Sequence, residues 1–115
     1  MSAHTSIDRD GVRAVVDTGT AIIVEALPAS YYDDAHVPGA RNLPHDSDET
    51  TIAAVLPDQD TPVVVYCSNL ACQNSTILSR RLVQLGYTDV REYEAGKEDW
   101  ITAGSPVESA GVTAD

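Results

Sequence analysis

The sequence predicts an α/β fold in which a central parallel sheet of about five strands has helices on both faces. Short β-branched runs alternate with helical segments across short loops, which is the pattern of repeated strand–helix–strand units. The clearest runs, A-I-I-V and V-V-V-Y, are apolar at consecutive positions, as expected of strands buried on both faces. Ligands bind such sheets beyond the carboxyl ends of the strands, so a functional site is expected at that edge.

The N-terminal half contains helical segments around one strong strand. The ordered region is predicted to begin at Ile7, with Asp8 or Asp10 capping a short helix that ends at Gly19. Residues 21–24 are predicted to form the first buried strand. The segments predicted to follow are a helical turn over 30–34, a turn over 36–40, an apolar stretch around Leu43, a polar loop over 45–49 and a helix over 50–56.

The C-terminal half repeats the alternation of strand and helix. Residues 63–66 are the clearest strand, and a polar loop over 67–74 follows it. Leucines at helical spacing predict an amphipathic helix over 75–85, which Gly86 ends. The last predicted elements are a strand over 90–93 and a helix containing Trp100 and Ile101.

Charge is the most unusual bulk property of the chain. It has 18 acidic residues against 7 basic ones, a formal net charge of -11. Nucleic acids and anionic membrane surfaces attract clustered Lys and Arg, so neither is expected as a partner. Lys97 is the one lysine, and this pattern suits a chain working at high salt, where charge repulsion is screened. Chance acidity in an ordinary bacterial protein is the other reading, and the composition does not choose between the two.

The length of 115 residues predicts one domain, over 1–108, with a flexible tail over 109–115. The cytoplasm is the expected compartment, because the first residues lack a basic region followed by an apolar block and no apolar run approaches the roughly 20 residues that span a bilayer. Two cysteines in such a compartment do not make a structural disulfide framework. Their reactivity is therefore the question they raise.

Cys67 is the candidate catalytic nucleophile. It follows a buried strand directly and precedes a polar loop and a helix. Free backbone amides and the helix N-terminus at such a position favour the thiolate, and comparable settings lower the pKa of cysteine from about 8.5 to roughly 3.5–7.5. The alternative is a buried Cys67 that acts only as a small apolar side chain. The candidate loop that would cradle its sulfur consists of Ser68, Asn69, Leu70, Ala71, Cys72, Gln73, Asn74 and Ser75.

Four segments, in order and at matching intervals, resemble the rhodanese-homology family between Ile7 and Glu108. Y-D-D-A-H-V-P-G-A-R-N resembles the family's first signature, Y-x-x-G-H-I-P-G-A-x-N. V-V-V-Y-C resembles the strand that ends in the persulfide-forming cysteine. A-G-K-E-D-W is similar to the element G-G-x-x-x-W, and A-G-S-P-V to the ending A-G-x-P-V.

The resemblance implies a single-domain sulfurtransferase. Cys67 would accept a sulfane sulfur, hold it as a persulfide and pass it to a thiol or another nucleophile. The implied partners are a small sulfur donor and a thiol acceptor, either of which could be a protein; no metal or organic cofactor is implied. His36 and Trp100 are structural residues in that family.

Two departures from the family's pattern bear on the substrate. The usual active loop runs Cys-Arg-x-Gly-x-Arg-Ser, whereas here it is two residues longer and contains no Arg or Lys. Thiosulfate is a dianion that arginine holds best, so it is doubtful as the physiological donor. Glu25-Ala26-Leu27 stands where the family has Asp-Val-Arg, and the ion pair of that motif is expected to be lost.

The same loop suggests three other functions. A phosphatase of the Cys-x5-Arg type needs arginine at position 73, where this chain has Gln73. A zinc site at Cys67 and Cys72 lacks further ligands in a paired motif. The third alternative is a redox-sensing or sulfur-carrying module that does not turn over. Cys72 has two readings, loop packing or a resolving thiol that attacks the Cys67 persulfide.

Overall fold

The central sheet of the fold is visible in a computed structural model that describes residues 4–109. Five strands, all parallel, lie in the order β1-β5-β4-β2-β3. This confirms the parallel sheet of about five strands that the alternating pattern predicts. The strands are β1 (Thr5–Ser6), β2 (Ile22–Glu25), β3 (Arg41–Asn42), β4 (Val63–Tyr66) and β5 (Val90–Tyr93).

Five helices occur among the described residues, and their ends follow local chemistry. They are α1 (Arg9–Thr18), α2 (Ala29–Asp34), α3 (Glu49–Val55), α4 (Asn74–Leu85) and α5 (Gly96–Thr102). The side chains of Asp8 and Asp48 accept hydrogen bonds from backbone amides in the first turns of α1 and α3. Gly19 and Gly86 end α1 and α4 in the left-handed conformation that glycine adopts without steric cost.

Both faces of the sheet are covered by apolar side chains. On β4, Val63 and Val65 pack into a core cluster with residues of α3 and α4, whereas Val64 and Tyr66 pack into a second cluster with residues of α1 and α5. Because side chains alternate along a strand, one run of four apolar residues supplies both clusters. The predicted helices on both faces are therefore confirmed.

The two short edge strands were not predicted. Thr5 and Ser6 pair with Arg91 and Glu92 of β5, so the ordered chain begins before Ile7. Arg41 and Asn42 pair with the end of β2. Each strand has two residues and little apolar character, so only backbone pairing with a neighbour reveals it.

The central position of β4 places its carboxyl end in the middle of one sheet edge. Tyr66 lies in register with Glu25 of β2 and Tyr93 of β5, so the residues after these three strands converge.

Each helix among the described residues is too short or too polar to span a membrane. The tail predicted from residue 109 lies, apart from Ser109, outside the described residues.

Candidate active site

Cys67 lies directly after β4, and its backbone is held by the start of α5. The amide of Lys97 donates to the Cys67 carbonyl at 2.8 Å, and the amide of Glu98 donates to the Ser68 carbonyl at 2.8 Å. Gly96 makes this close approach possible, because a Cβ at that position would lie 2.7 Å from the Cys67 carbonyl oxygen. The N-terminus of α5 therefore fixes the base of the loop.

The thiol of Cys67 is closed off in this conformation, with 1% of the residue exposed. Its Sγ lies 3.3 Å from the Ser75 hydroxyl oxygen and 3.5 Å from the carbonyl oxygen of Cys72. A thiol has one hydrogen, so it donates to one of these acceptors at a time. Cys67, Cys72 and Ser75 are thus brought together, as the sequence predicts for the loop.

The acidity of Cys67 differs from the sequence prediction. Burial, which is the larger cause, and a hydrogen bond with the Cys72 side chain together raise the pKa of the thiol to about 11. The Ser75 amide, and its hydroxyl when turned toward the sulfur, act in the opposite direction. The predicted low pKa of Cys67 is therefore wrong for this closed conformation, because the desolvation of the thiolate outweighs the helix N-terminus.

The backbone amides predicted to face Cys67 act in part on Cys72 instead. Burial disfavours the Cys72 thiolate, but hydrogen bonds from the Cys67 side chain and from the amides of Ser68 and Asn74 outweigh it and lower the pKa of Cys72. Cys72 is also less buried than Cys67. It is consequently the more acidic and more accessible of two interacting thiols.

The rest of the loop makes a tight turn over the thiols. Asn69 accepts from the Cys72 amide through its carbonyl and from the Ala71 amide through its side chain. Leu70, at the tip, is 79% exposed. Gln73 is exposed, and its carbonyl accepts from Ile77 in the first turn of α4. The helix begins at Asn74, one residue before the predicted start.

A buried carboxylate stands behind the thiol, and sequence reasoning missed it. Glu92 of β5 accepts hydrogen bonds at 2.7 Å from the hydroxyls of Ser75 and Thr76. His4 Nε2 lies 2.9 Å from the other carboxylate oxygen. The sequence offered one signal for this buried carboxylate. Glu92 stands two residues after the buried Val90 in a strand, and alternate residues of a strand share a face.

A second buried carboxylate, Glu25, corrects the expectation of a lost ion pair. Lys97 Nζ lies 3.0 Å from Glu25 Oε2 and donates its other hydrogens to the carbonyls of Tyr31 and Ala35. The Tyr66 hydroxyl donates to Glu25 Oε1 at 2.8 Å. An ion pair thus exists beside the active loop, but its cation comes from α5, far away in sequence from the position where the family's motif has arginine.

Comparison with known proteins identifies the family. The model of the rhodanese-like domain matches residues 8–103, most of the chain. The chain belongs to the rhodanese-like domain family.

Several solved structures share this fold. The BH2092 protein of Bacillus halodurans superposes with a TM-score of 0.83 at 24% identity, covering 91% of this chain and 77% of that one. A thiosulfate sulfurtransferase from Pseudomonas aeruginosa gives 0.81 at 25% identity, covering 95% of this chain but 21% of its own. The human single-domain sulfurtransferase TSTD1 gives 0.72 at 17% identity, covering 87% and 97%.

A curated relative has a different overall description. The HTH-type transcriptional regulator Rv0324 of Mycobacterium tuberculosis is 28% identical over 92 residues, which are 80% of this chain and 39% of the regulator. This rhodanese-like domain therefore spans less than half the length of that relative.

His36 and Trp100 have structural surroundings in this rhodanese-like domain. The His36 ring stacks on Tyr32 with centroids 3.8 Å apart, and its Nδ1 lies 2.8 Å from the Tyr32 carbonyl. The buried Trp100 donates through Nε1 to the Pro106 carbonyl. These contacts agree with the structural roles that the resemblance implies.

The clefts beside the active loop of this rhodanese-like domain are acidic. One, of about 590 Å³, runs from Leu70 to the start of α1, and a second, of about 500 Å³, lies between the loop and α5. Acidic residues line both clefts, and Arg9, the one cation among the lining residues that the structure describes, is paired with Asp99. The acidic lining residues are Asp8, Asp10, Glu94, Glu98 and Asp99.

Proposed function

We propose that this rhodanese-like domain transfers sulfane sulfur through a persulfide on Cys67 to a thiol or another nucleophilic acceptor. The observation that carries the proposal is the placement of Cys67 at the carboxyl end of the central strand, under a loop of backbone amides and 3.3 Å from the Ser75 hydroxyl. Parallel sheets bind ligands at this edge. Membership of a family with sulfurtransferases among its structural neighbours supports the assignment.

The reaction requires the loop to open, because the thiol is buried at rest. Opening rehydrates the sulfur and separates it from the Cys72 side chain, and both changes lower the pKa of Cys67 toward its ordinary value. The Cys67 thiolate then attacks the outer sulfur of a donor persulfide, R–S–SH. A sulfur–sulfur bond forms on Cys67, the donor's sulfur–sulfur bond breaks, and the thiolate R–S⁻ leaves.

The charge of the site favours a donor other than thiosulfate. Residues 68–74 carry no cation, and acidic side chains line the flanking clefts. Among the described residues of the loop and these clefts, an oxyanion therefore finds neither a guanidinium nor an ammonium group free to hold it. We infer that the donor is a persulfide, either on a small thiol or on a protein, that reaches the site in the cytoplasm.

The first prediction concerns the choice of donor. Incubation with the persulfide of 2-mercaptoethanol is expected to add one sulfur atom to Cys67, and thiosulfate is expected to do so at least about tenfold more slowly, since a charge-assisted hydrogen bond contributes roughly 1.5–3 kcal/mol. Intact-mass measurement over time gives both rates, and peptide mapping locates the added sulfur.

The controls for this experiment are Cys67→Ser and Cys72→Ser. The first variant should gain no sulfur, and the second should load at Cys67 and retain the added sulfur, because Cys72 is absent. Sulfur found on Cys72 in place of Cys67, or thiosulfate loading as fast as the persulfide, contradicts the proposal.

Cys72 is proposed as the resolving thiol. It is the more acidic of the two thiols and lies against Cys67. In this step the Cys72 thiolate attacks the inner sulfur of the Cys67 persulfide, a Cys67–Cys72 disulfide forms, and hydrosulfide leaves. A thiol reductant then restores both cysteines and is itself oxidised to a disulfide.

The second prediction follows from this step. After loading, Cys72→Ser should retain its persulfide and release sulfide at least about tenfold more slowly than the wild type, because no neighbouring thiolate attacks it. Sulfide release by methylene-blue assay and intact mass without reductant measure the two products. Equal sulfide release by both proteins assigns Cys72 to loop packing.

A redox sensor is the second candidate function. The interaction between the two thiols supports it, and so does the match to a transcriptional regulator. Peroxide would oxidise the Cys72 thiolate to a sulfenic acid, and the Cys67 thiol would displace water to form the disulfide. If peroxide forms this disulfide readily and no sulfur donor loads Cys67, the sensor replaces the sulfurtransferase.

A further inference from the structure

Glu92 is a buried acidic group that the sulfur-transfer steps above do not use. It is 2% exposed, and its carboxylate accepts from Ser75 and Thr76 through one oxygen. Ser75 is also the residue whose hydroxyl oxygen lies 3.3 Å from the Cys67 sulfur. One hydroxyl group therefore separates a buried carboxylate from the proposed nucleophile.

The direction of these hydrogen bonds fixes which form of Cys67 the site prefers. A serine hydroxyl has one hydrogen, and Ser75 donates it to Glu92 at 2.7 Å. The Ser75 oxygen consequently presents a lone pair to the sulfur and accepts the thiol hydrogen. In this orientation of the hydroxyl a thiolate would meet that lone pair, with a carboxylate behind it, and both oppose the favourable effect of the Ser75 amide on a negative sulfur.

The other described ionisable groups near Glu92 and Cys67 do not reverse the preference for a protonated thiol. The ionisable groups that face it are the Cys72 thiol, on the loop side, and His4, which contacts the outer oxygen of Glu92. The strand residues paired with Glu92 are Val65 of β4 and Ser6 of β1, and neither carries a charge. The Lys97 ammonium is paired with the Glu25 carboxylate.

We propose that Glu92, acting through Ser75, is a positioning residue that holds Cys67 in its protonated form and disfavours thiosulfate, a dianion, as a sulfur donor. The effect on the donor follows because a dianion that approaches the sulfur also approaches the Glu92 carboxylate, which lies behind the Ser75 hydroxyl. The effect of Glu92 on sulfur donors rests on the proposed sulfur transfer. Its effect on the protonation of Cys67 does not.

The test uses Glu92→Gln, which keeps the shape of the side chain and removes its charge. The amide of glutamine can donate to Ser75, whose hydrogen then turns to the sulfur and stabilises the thiolate. In a Cys72→Ser background, alkylation of Cys67 by uncharged iodoacetamide should rise at least about tenfold at neutral pH, equivalent to a fall of one unit in the thiol pKa. Intact-mass measurements at a series of pH values give the dependence of the alkylation rate on pH, which is the alkylation profile.

The matched control is Thr76→Val. Thr76 donates to the same carboxylate oxygen at the same distance as Ser75, but its loss leaves the charge and the Ser75 hydrogen bond in place. Its alkylation profile should match that of the background protein. Profiles are compared at each pH, so any contribution of His4 is common to them. Thermal unfolding verifies folding, and Glu92→Leu is the second neutral variant if glutamine is not tolerated.

The route through Ser75 is tested by combining variants. In a Ser75→Ala background, the increase in the alkylation rate of Cys67 that Glu92→Gln causes should fall to less than about threefold, because no hydroxyl remains to turn toward the sulfur. A gain of the same size in both backgrounds overturns the role of Ser75. An unchanged pH profile in both neutral Glu92 variants overturns the proposal as a whole.

Donor selectivity completes the test. The ratio of loading by thiosulfate to loading by the persulfide of 2-mercaptoethanol should rise about tenfold in Glu92→Gln. If the alkylation profile shifts but no donor loads any variant, Glu92 restrains the thiol and the sulfurtransferase assignment fails. If the wild type loads and neither the profile nor the ratio moves, the assignment stands and the inference about Glu92 fails.

Discussion

Replacing Lys97 with methionine is expected to lower the free energy of unfolding by about 3–5 kcal/mol. Glu25 has none of its surface exposed, and without the ammonium group it would be left as a buried charge with a tyrosine hydroxyl as its remaining donor. The carbonyls of Tyr31 and Ala35 would also lose their contacts with the ammonium. Urea unfolding of the wild type and the Lys97→Met variant measures the difference.

Two controls separate the buried charge from other effects of the change. The double variant Glu25→Gln with Lys97→Met should recover most of the lost stability, because the pair is then removed as a unit. Arg91→Met breaks the partly exposed pair with Asp89 and should cost less than about 1 kcal/mol. A Lys97→Met variant within about 1 kcal/mol of the wild type would show that the Glu25 charge is solvated or neutral.

Replacing Gly96 with alanine is expected to lower both stability and sulfur loading. Gly96 has φ +72°, and a Cβ there would lie 2.7 Å from the Cys67 carbonyl oxygen and 2.8 Å from the Ser68 carbonyl carbon. These are backbone atoms, so relief requires the start of α5 and the active loop to separate. We expect a loss of more than about 2 kcal/mol and at least about tenfold slower loading of Cys67, since misplaced reacting groups lose rate steeply.

Gly104→Ala is the matched control for that variant. Gly104 has φ +78°, close to that of Gly96, but nothing lies within 4 Å of its Cβ position. It therefore shares the backbone strain and lacks the steric clash. Urea unfolding and persulfide loading by intact mass are measured for both variants. If they lose the same stability and load at the same rate, the close approach of α5 does not position the loop.

Local patterns in the sequence predict the parts of the fold that depend on neighbouring residues. The apolar run of β4 predicts a buried central strand, the caps at Asp8 and Gly19 predict the ends of α1, and the leucines of α4 predict its buried face. The place of Cys67 after β4 follows from the same patterns. Each of these features depends on the period of a strand or helix, or on a capping group a few residues away.

The environment of the sulfur cannot be predicted in that way. Glu92 and Ser75 contact each other across 17 positions, Lys97 and Glu25 across 72, and His4 and Glu92 across 88. The sequence can show that an amide-rich loop follows Cys67, but not that the loop closes over it, so it predicted a low pKa where burial raises it.

The sequence by itself determined the order of the helices and of the three four-residue strands, the edge of the sheet that carries the site and the cysteine that stands there. Only the tertiary structure decided which charges reach that cysteine and how far water is excluded from it. The physical reason is that hydrophobic period and capping act over a few residues, whereas desolvation and charge act through space between segments that the chain brings together from distant positions.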